Sequence, residues 1–157
     1  VDIYLPMAEK MEAQSPRESG QTQAQSYGES HPSDTAPHPI ILVVDDDDMV
    51  RMTIQRMLAH LGYDAIPAAS GEEALTLFEA SRDVISAVIL DVTMPGLGGV
   101  GTFHSLRAVD TQVKIIIAGG DVGSPAVREL RSLGVSYVLA KPFTTEELSR
   151  AVHSAQE

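Results

Sequence analysis

The chain has 157 residues, 43% of them hydrophobic, with no cysteine, a formal net charge of -11 and a pI near 4.7. That length and apolar content suit one globular domain with chain to spare, while the acidic balance argues against a nucleic-acid partner, which needs clustered Lys and Arg. Without Cys there are no disulfides or thiolate metal sites, which suits a reducing, cytoplasmic setting, and with no signal-peptide pattern and no apolar run near the roughly 20 residues of a membrane helix, no membrane contact is expected.

Residues 1–6, "VDIYLP", alternate apolar and polar and end in Pro. Residues 7–38 are rich in Gln, Ser, Glu, Pro and Gly and almost devoid of apolar periodicity. Such a segment cannot bury enough surface to offset its ordering entropy, so it is expected to be a disordered linker. From Pro39 to Glu157 the texture changes to short apolar runs alternating with amphipathic stretches, the pattern of βα units around a parallel sheet. "PIILVV" is the first strand, continuously apolar as a strand covered on both faces should be. Val50, Ile54, Met57, Leu58 and Leu61 follow at helical spacing, and Gly62 suits the left-handed residue that ends a helix. "YDAIPAA" is a weaker strand, placed at an edge or near a strand end by Pro67. Ser70 and Glu73 form a capping box for a helix carrying Ala74, Leu75, Leu77 and Phe78. "ISAVIL" is the third strand and leads into Asp91; "GLGGVG" after it reads as a flexible loop, and "VGTFHSLRAV" as a modest helix. "VKIIIA" is the fourth strand, and Ser124 with Pro125 starts a helix that stops at Gly134. "SYVLA" is the fifth strand, and Thr144 with Glu147 caps the last helix.

In a parallel sheet the residues just past the strand ends gather along one edge, where open α/β sheets bind ligands. Asp45 and Asp46 follow the first strand, Asp91 the third and Lys141 the fifth. Carboxylates held together repel unless a cation is present. Mg²⁺ is the natural candidate, because it takes a few carboxylates, keeps waters and completes its octahedron with phosphate oxygen. A lysine on the same rim neutralises a phosphoryl group as a point charge. Together they describe a site for phosphoryl transfer, in which an aspartate can itself be the nucleophile.

Three motifs, "VVDD" (43–46), "LDVTMPGLGG" (90–99) and "AKPFTTEEL" (140–148), occur in order and with suitable gaps. On them, residues 39–157 resemble a response-regulator receiver domain, related to the chemotaxis protein CheY. The resemblance implies a flavodoxin-like fold, a doubly wound five-stranded parallel sheet flanked by five helices. It implies that Asp91 is the phosphoacceptor, that Asp45, Asp46, Asp91 and the backbone carbonyl of Thr93 hold Mg²⁺, that Lys141 contacts the phosphoryl group, and that the bond before Pro142 is cis. Asp47 and Asp48 fall outside the family's acidic pair and are expected to cap the first helix.

The chain departs from the family at the switch. Receivers usually place Ser or Thr at the end of the fourth strand; in "KIIIAGGD" that position falls on Ala118 or Gly119, depending on the alignment. The aromatic switch residue usually stands three before the lysine, where this chain has Val138; Tyr137 is one place off and, by strand alternation, points to the other face. The expectation is an Asp91 that accepts a phosphoryl group without the familiar hydroxyl-aromatic coupling.

Residues 1–6 look like the last strand of the ATP-binding domain of sensor histidine kinases. With the linker and the start at Val1 rather than Met, this points to the C-terminal piece of a hybrid histidine kinase. The implied partners are a histidine kinase domain, in the same parent chain, and a histidine phosphotransfer protein. The domain itself is expected to be a signalling phosphoacceptor, with enzymatic activity left open. Two alternatives stand beside this one. A degenerate receiver acting as an interaction module draws weight from the missing hydroxyl. A haloacid-dehalogenase-like phosphatase would use Asp45 as nucleophile, but it needs an acidic pair on a strand after Lys141, where only a helix with Glu146 and Glu147 follows. An EF-hand fits poorly, since Val50 stands where the loop needs Gly and Arg56 where it needs Glu. The five histidines lack metal-ligand spacing, and none precedes Glu as a phosphorylated kinase histidine usually does. There is neither a nucleophile elbow nor a glycine-rich phosphate loop.

Overall fold

The computed structural model describes residues 37–157. The expected kinase-domain remnant (1–6) and all but the last two residues of the expected linker (7–38) lie outside the described residues. Residues His38–Glu157 form a compact unit. Strands β1 (Ile40–Val44), β2 (Asp64–Ala68), β3 (Ile85–Asp91), β4 (Ile115–Gly119) and β5 (Tyr137–Ala140) alternate with helices α1 (Asp48–His60), α2 (Gly71–Ser81), α3 (Gly98–Val109), α4 (Pro125–Ser132) and α5 (Thr145–Ala155). The strands pair in parallel in the order β2-β1-β3-β4-β5. Proline-containing β2 is an edge strand, as a residue without an N–H donor requires. Among the described residues no helix is long and apolar enough to cross a membrane.

The central strands are apolar at every position because both faces are covered, and their period of two sorts the side chains into two cores. Leu42, Val44, Val88, Leu90, Ile115 and Ile117 pack with Phe78, Phe103 and Leu130 from α2, α3 and α4. Ile41, Val43, Ala87, Ile89, Ile116 and Leu139 pack with Leu58 from α1 and with Leu148 and Val152 from α5. This alternation positions the site. Asp45 continues the line of Ile41 and Val43, Asp91 that of Ala87 and Ile89, and Lys141 that of Leu139, so all three extend rows on the α1/α5 side of the sheet.

The helix boundaries follow local chemistry. The Asp47 carboxylate accepts from the N–H groups of Met49 and Val50 at the start of α1, and Ser124 accepts from Val127 at the start of α4. Thr144 and Glu147 form a reciprocal capping box on α5, and the backbone N–H and then the side chain of Thr144 hold the Glu147 carboxyl below the usual carboxylate range. Gly62 and Gly134, both at positive φ, follow α1 and α4.

Two expectations need correction. At α2 the reciprocal box is incomplete: Ser70 caps the Glu73 N–H, but the Glu73 carboxylate reaches past it and accepts from Ala69 N–H at 2.7 Å. "GLGGVG" is not a loop throughout, because α3 begins at Gly98, two residues before the expected helix. The reason is a close approach. A Cβ on Gly99 would lie 2.6 Å from Val92 Cα and 2.8 Å from the carbonyl oxygens of Asp91 and Val92. Glycine there lets the first turn of α3 rest directly on the backbone that carries Asp91.

Candidate functional site

Each strand-end residue of the site is anchored by a sheet hydrogen bond running to or beyond the strand end. Asp45 N–H donates to Ala68 O at 3.1 Å, Val92 N–H to Ala118 O at 3.0 Å and Lys141 N–H to Gly119 O at 2.9 Å. Asp91 itself is still in register, opposite Ala118. The side chains therefore converge without being carried on mobile loops.

Asp45 and Asp91 are 2% and 3% exposed, which is rare for carboxylates and demands partners. Lys141 supplies one to both: its ammonium donates to Asp45 Oδ2 at 2.7 Å and to Asp91 Oδ1 at 3.2 Å. Burial works against the charged lysine, but the hydrogen bond to Asp45 and the charges of Asp91 and Asp45 outweigh it and raise its pKa. The Lys141–Pro142 peptide is cis.

The second oxygen of Asp45 accepts from Asp47 N–H at 2.9 Å. Asp91 Oδ1 also accepts from the hydroxyl of Thr93 at 3.3 Å and, at a long 3.4 Å, from its N–H. Asp46 is exposed and stands at the mouth of the site. One carboxylate oxygen from each of Asp45, Asp46 and Asp91 lies within 4.8 Å of the others. An octahedral ion with bonds of about 2.1 Å keeps its ligands about 3 to 4 Å apart, so a small closure of this cluster fits one hard cation. Charge supports the fit. Three carboxylates against one ammonium leave two negative charges, the complement of a divalent ion.

The switch positions resolve as the strand period requires. Ala118 lies in the core on the α1/α5 side, whereas a Cβ on Gly119 would point towards the Val92 side chain, 3.6 Å away, on the face that also holds Val138. Gly119 and Val138 are thus the pair on one face, and neither carries a hydroxyl or an aromatic ring. Tyr137 packs on the opposite face.

Two contacts escaped sequence inspection. Arg51 donates from Nη1 to the Asp45 carbonyl at 2.6 Å and from Nη2 to Asp48, clamping the β1-α1 loop. The i,i+3 spacing of Asp48 and Arg51 gives the ion pair, but nothing in the spacing points the same guanidinium at a carbonyl six residues back. The Thr93 hydroxyl on Asp91 was hidden because only the carbonyl of Thr93 belongs to the expected metal set.

Comparison with known proteins agrees with this geometry. Residues 41–153 match the model of the response regulator receiver domain family. The chain is 37% identical to a probable transcriptional regulator, ycf27, of Cyanophora paradoxa over 73% of this chain and 46% of the relative. It is 32% identical to the sensor kinase CckA of Brucella abortus over 80% of this chain and 13% of that protein. The chain thus spans half or less of the curated relatives it matches. Among solved structures, the response regulator protein TrrA of Thermotoga maritima, in complex with Mg²⁺ and BeF, is similar with a TM-score of 0.66 and 32% identity over 74% of this chain and 97% of that one. With its five-stranded parallel sheet, its acidic cluster at the strand ends and a family match over most of its length, the chain belongs to the response regulator receiver domain family, the phosphoacceptor domains of two-component signalling.

Proposed function

We propose that this domain accepts a phosphoryl group on Asp91 from a phosphohistidine, with Mg²⁺ held by Asp45, Asp46, Asp91 and the backbone carbonyl of Thr93. The observation that carries the reading is the meeting of three carboxylates at the ends of two strands, with one lysine donating to two of them. In the transfer a carboxylate oxygen of Asp91 attacks phosphorus, the P–N bond to the donor imidazole breaks, and the ring nitrogen keeps the bonding electron pair. The cation supplies charge neutralisation for the incoming group and the carboxylates. Lys141 places its ammonium 3.2 Å from Asp91 Oδ1, where it meets the negative charge of the transferred oxygens. Asp45 has both oxygens engaged by the protein, so it orients Lys141 while offering negative charge to the cation.

The donor in this reading is a histidine kinase domain, and a histidine phosphotransfer protein is a second partner. The similarity to a sensor kinase supports a hybrid kinase as the parent chain, and the family supports a cytoplasmic location. Phosphoramidate, which carries a P–N bond, is the simplest donor for a test. Labelling should require Mg²⁺ and be lost in Asp91→Asn. Loss of the covalent intermediate in Asp45→Asn with retention in Asp91→Asn would instead mark a phosphatase with Asp45 as nucleophile.

A further inference from the structure

Resting on Asp91 as the phosphoacceptor, we propose that the Thr93 hydroxyl is the side-chain donor that contacts the transferred phosphoryl group, in place of the strand-four hydroxyl this chain lacks. The β4 side offers no substitute. Gly119 has no side chain, and a Cβ on Gly120 would meet open space. Ser124, the next hydroxyl along the chain, is held at the start of α4, where its oxygen accepts from the Val127 N–H at 3.3 Å. Its loop is braced from within, by Gly123 N–H on Asp121 Oδ1 at 2.9 Å and by the Arg128 guanidinium on Gly123 O at 2.6 Å.

Thr93 is differently placed. Its hydroxyl is 3.3 Å from Asp91 Oδ1, the same oxygen that Lys141 reaches at 3.2 Å. A phosphoryl group on that oxygen puts its own oxygens between a fixed ammonium and a hydroxyl on an exposed residue free to rotate. The donor therefore sits on the β3-α3 connection. Gly99, whose lack of a side chain lets α3 rest on the Asp91 and Val92 backbone, joins that connection to the helix. Phosphorylation in this chain pulls on the start of α3, not on the loop before α4.

The test uses the full chain with acetyl phosphate and Mg²⁺, following the rate of acyl-phosphate formation in wild type, Thr93→Ser, Thr93→Val and Thr93→Ala. A hydrogen bond to a charged group contributes about 1.5 to 3 kcal/mol, or about tenfold or more in rate. Ser should keep the wild-type rate, and Val and Ala should lose about tenfold. A Cβ on Gly119 would make only ordinary contact with Val92, 3.6 Å away, and Gly119→Ser should restore part of the rate in the Thr93→Ala background. A second readout is NMR with beryllofluoride and Mg²⁺: the amides of Thr93 and Gly99 should shift more than those of Gly120 to Ser124. A labelled wild type with Val and Ala variants at the same rate would overturn the Thr93 assignment alone. A wild type that takes no label would overturn the phosphoacceptor reading and this inference with it.

Discussion

Lys141→Met tests the electrostatics of the site without touching the acceptor. The variant keeps the apolar stem and removes the ammonium that lies 2.7 Å from Asp45 and 3.2 Å from Asp91. Breaking a buried ion pair costs about 3 to 5 kcal/mol, because the surviving charge is left without a partner. Here the carboxylate side chains are 3% and 4% exposed but the lysine is 23% exposed, so water reaches the pair from one side. We therefore expect a loss nearer 2 to 3 kcal/mol, or about 8 to 12 °C in Tm for a domain of this size. Added Mg²⁺ should recover more stability in the variant than in wild type, because lysine and cation satisfy the same Asp45 carboxylate and compete for it. Combining Lys141→Met with Asp45→Asn should return most of the loss. The assay is urea or thermal unfolding followed by circular dichroism, with and without Mg²⁺. Equal stability of variant and wild type without the metal, or an equal response to it, would refute the competition.

Three further outcomes are expected. Gly99→Ala gains about 1 kcal/mol of helix propensity but sets a Cβ against backbone atoms that cannot yield, at a cost of about 1 to 3 kcal/mol. The urea midpoint should fall, and a midpoint at or above that of wild type would show that α3 can shift. Asp47→Ala removes the acceptor for the Met49 and Val50 N–H groups and should cost about 1 kcal/mol in chemical denaturation. For pH, the folded pKa of Lys141 is raised above 10.5, so its contribution is fully present below that value and disappears as pH climbs through the folded pKa. The stability gap between wild type and Lys141→Met should be constant from neutral pH to the onset of lysine titration and narrow above pH 10.5; a gap that closes already near neutral pH would contradict the pairing.

Much of this was legible in the sequence, because burial on both faces leaves a continuous apolar run such as "IILVV" and because caps such as Thr144 and Glu147 act locally. The strand-end rule alone brings Asp45, Asp91 and Lys141 to one edge, and strand alternation correctly places Tyr137 opposite Val138. What was not legible depends on distances between segments. "GLGGVG" reads as a loop because glycine disfavours helices, yet the helix starts at Gly98 because the backbone after Asp91 lies too close for any side chain on Gly99. The choice between Ala118 and Gly119 needed the sheet face that each occupies. Glu73 passing Ser70 to reach Ala69, and Arg51 reaching the Asp45 carbonyl, depend on rotamers that spacing does not determine.

The most direct test maps the phosphoryl group itself. Intact protein treated with acetyl phosphate should gain the mass of one phosphoryl group when Mg²⁺ is present and none when it is chelated, with fragmentation placing the group on the peptide containing Asp91. A modification on Asp45, or labelling at the same rate without a divalent ion, would contradict an acceptor built from carboxylates at the ends of β1 and β3 around a cation beside Lys141.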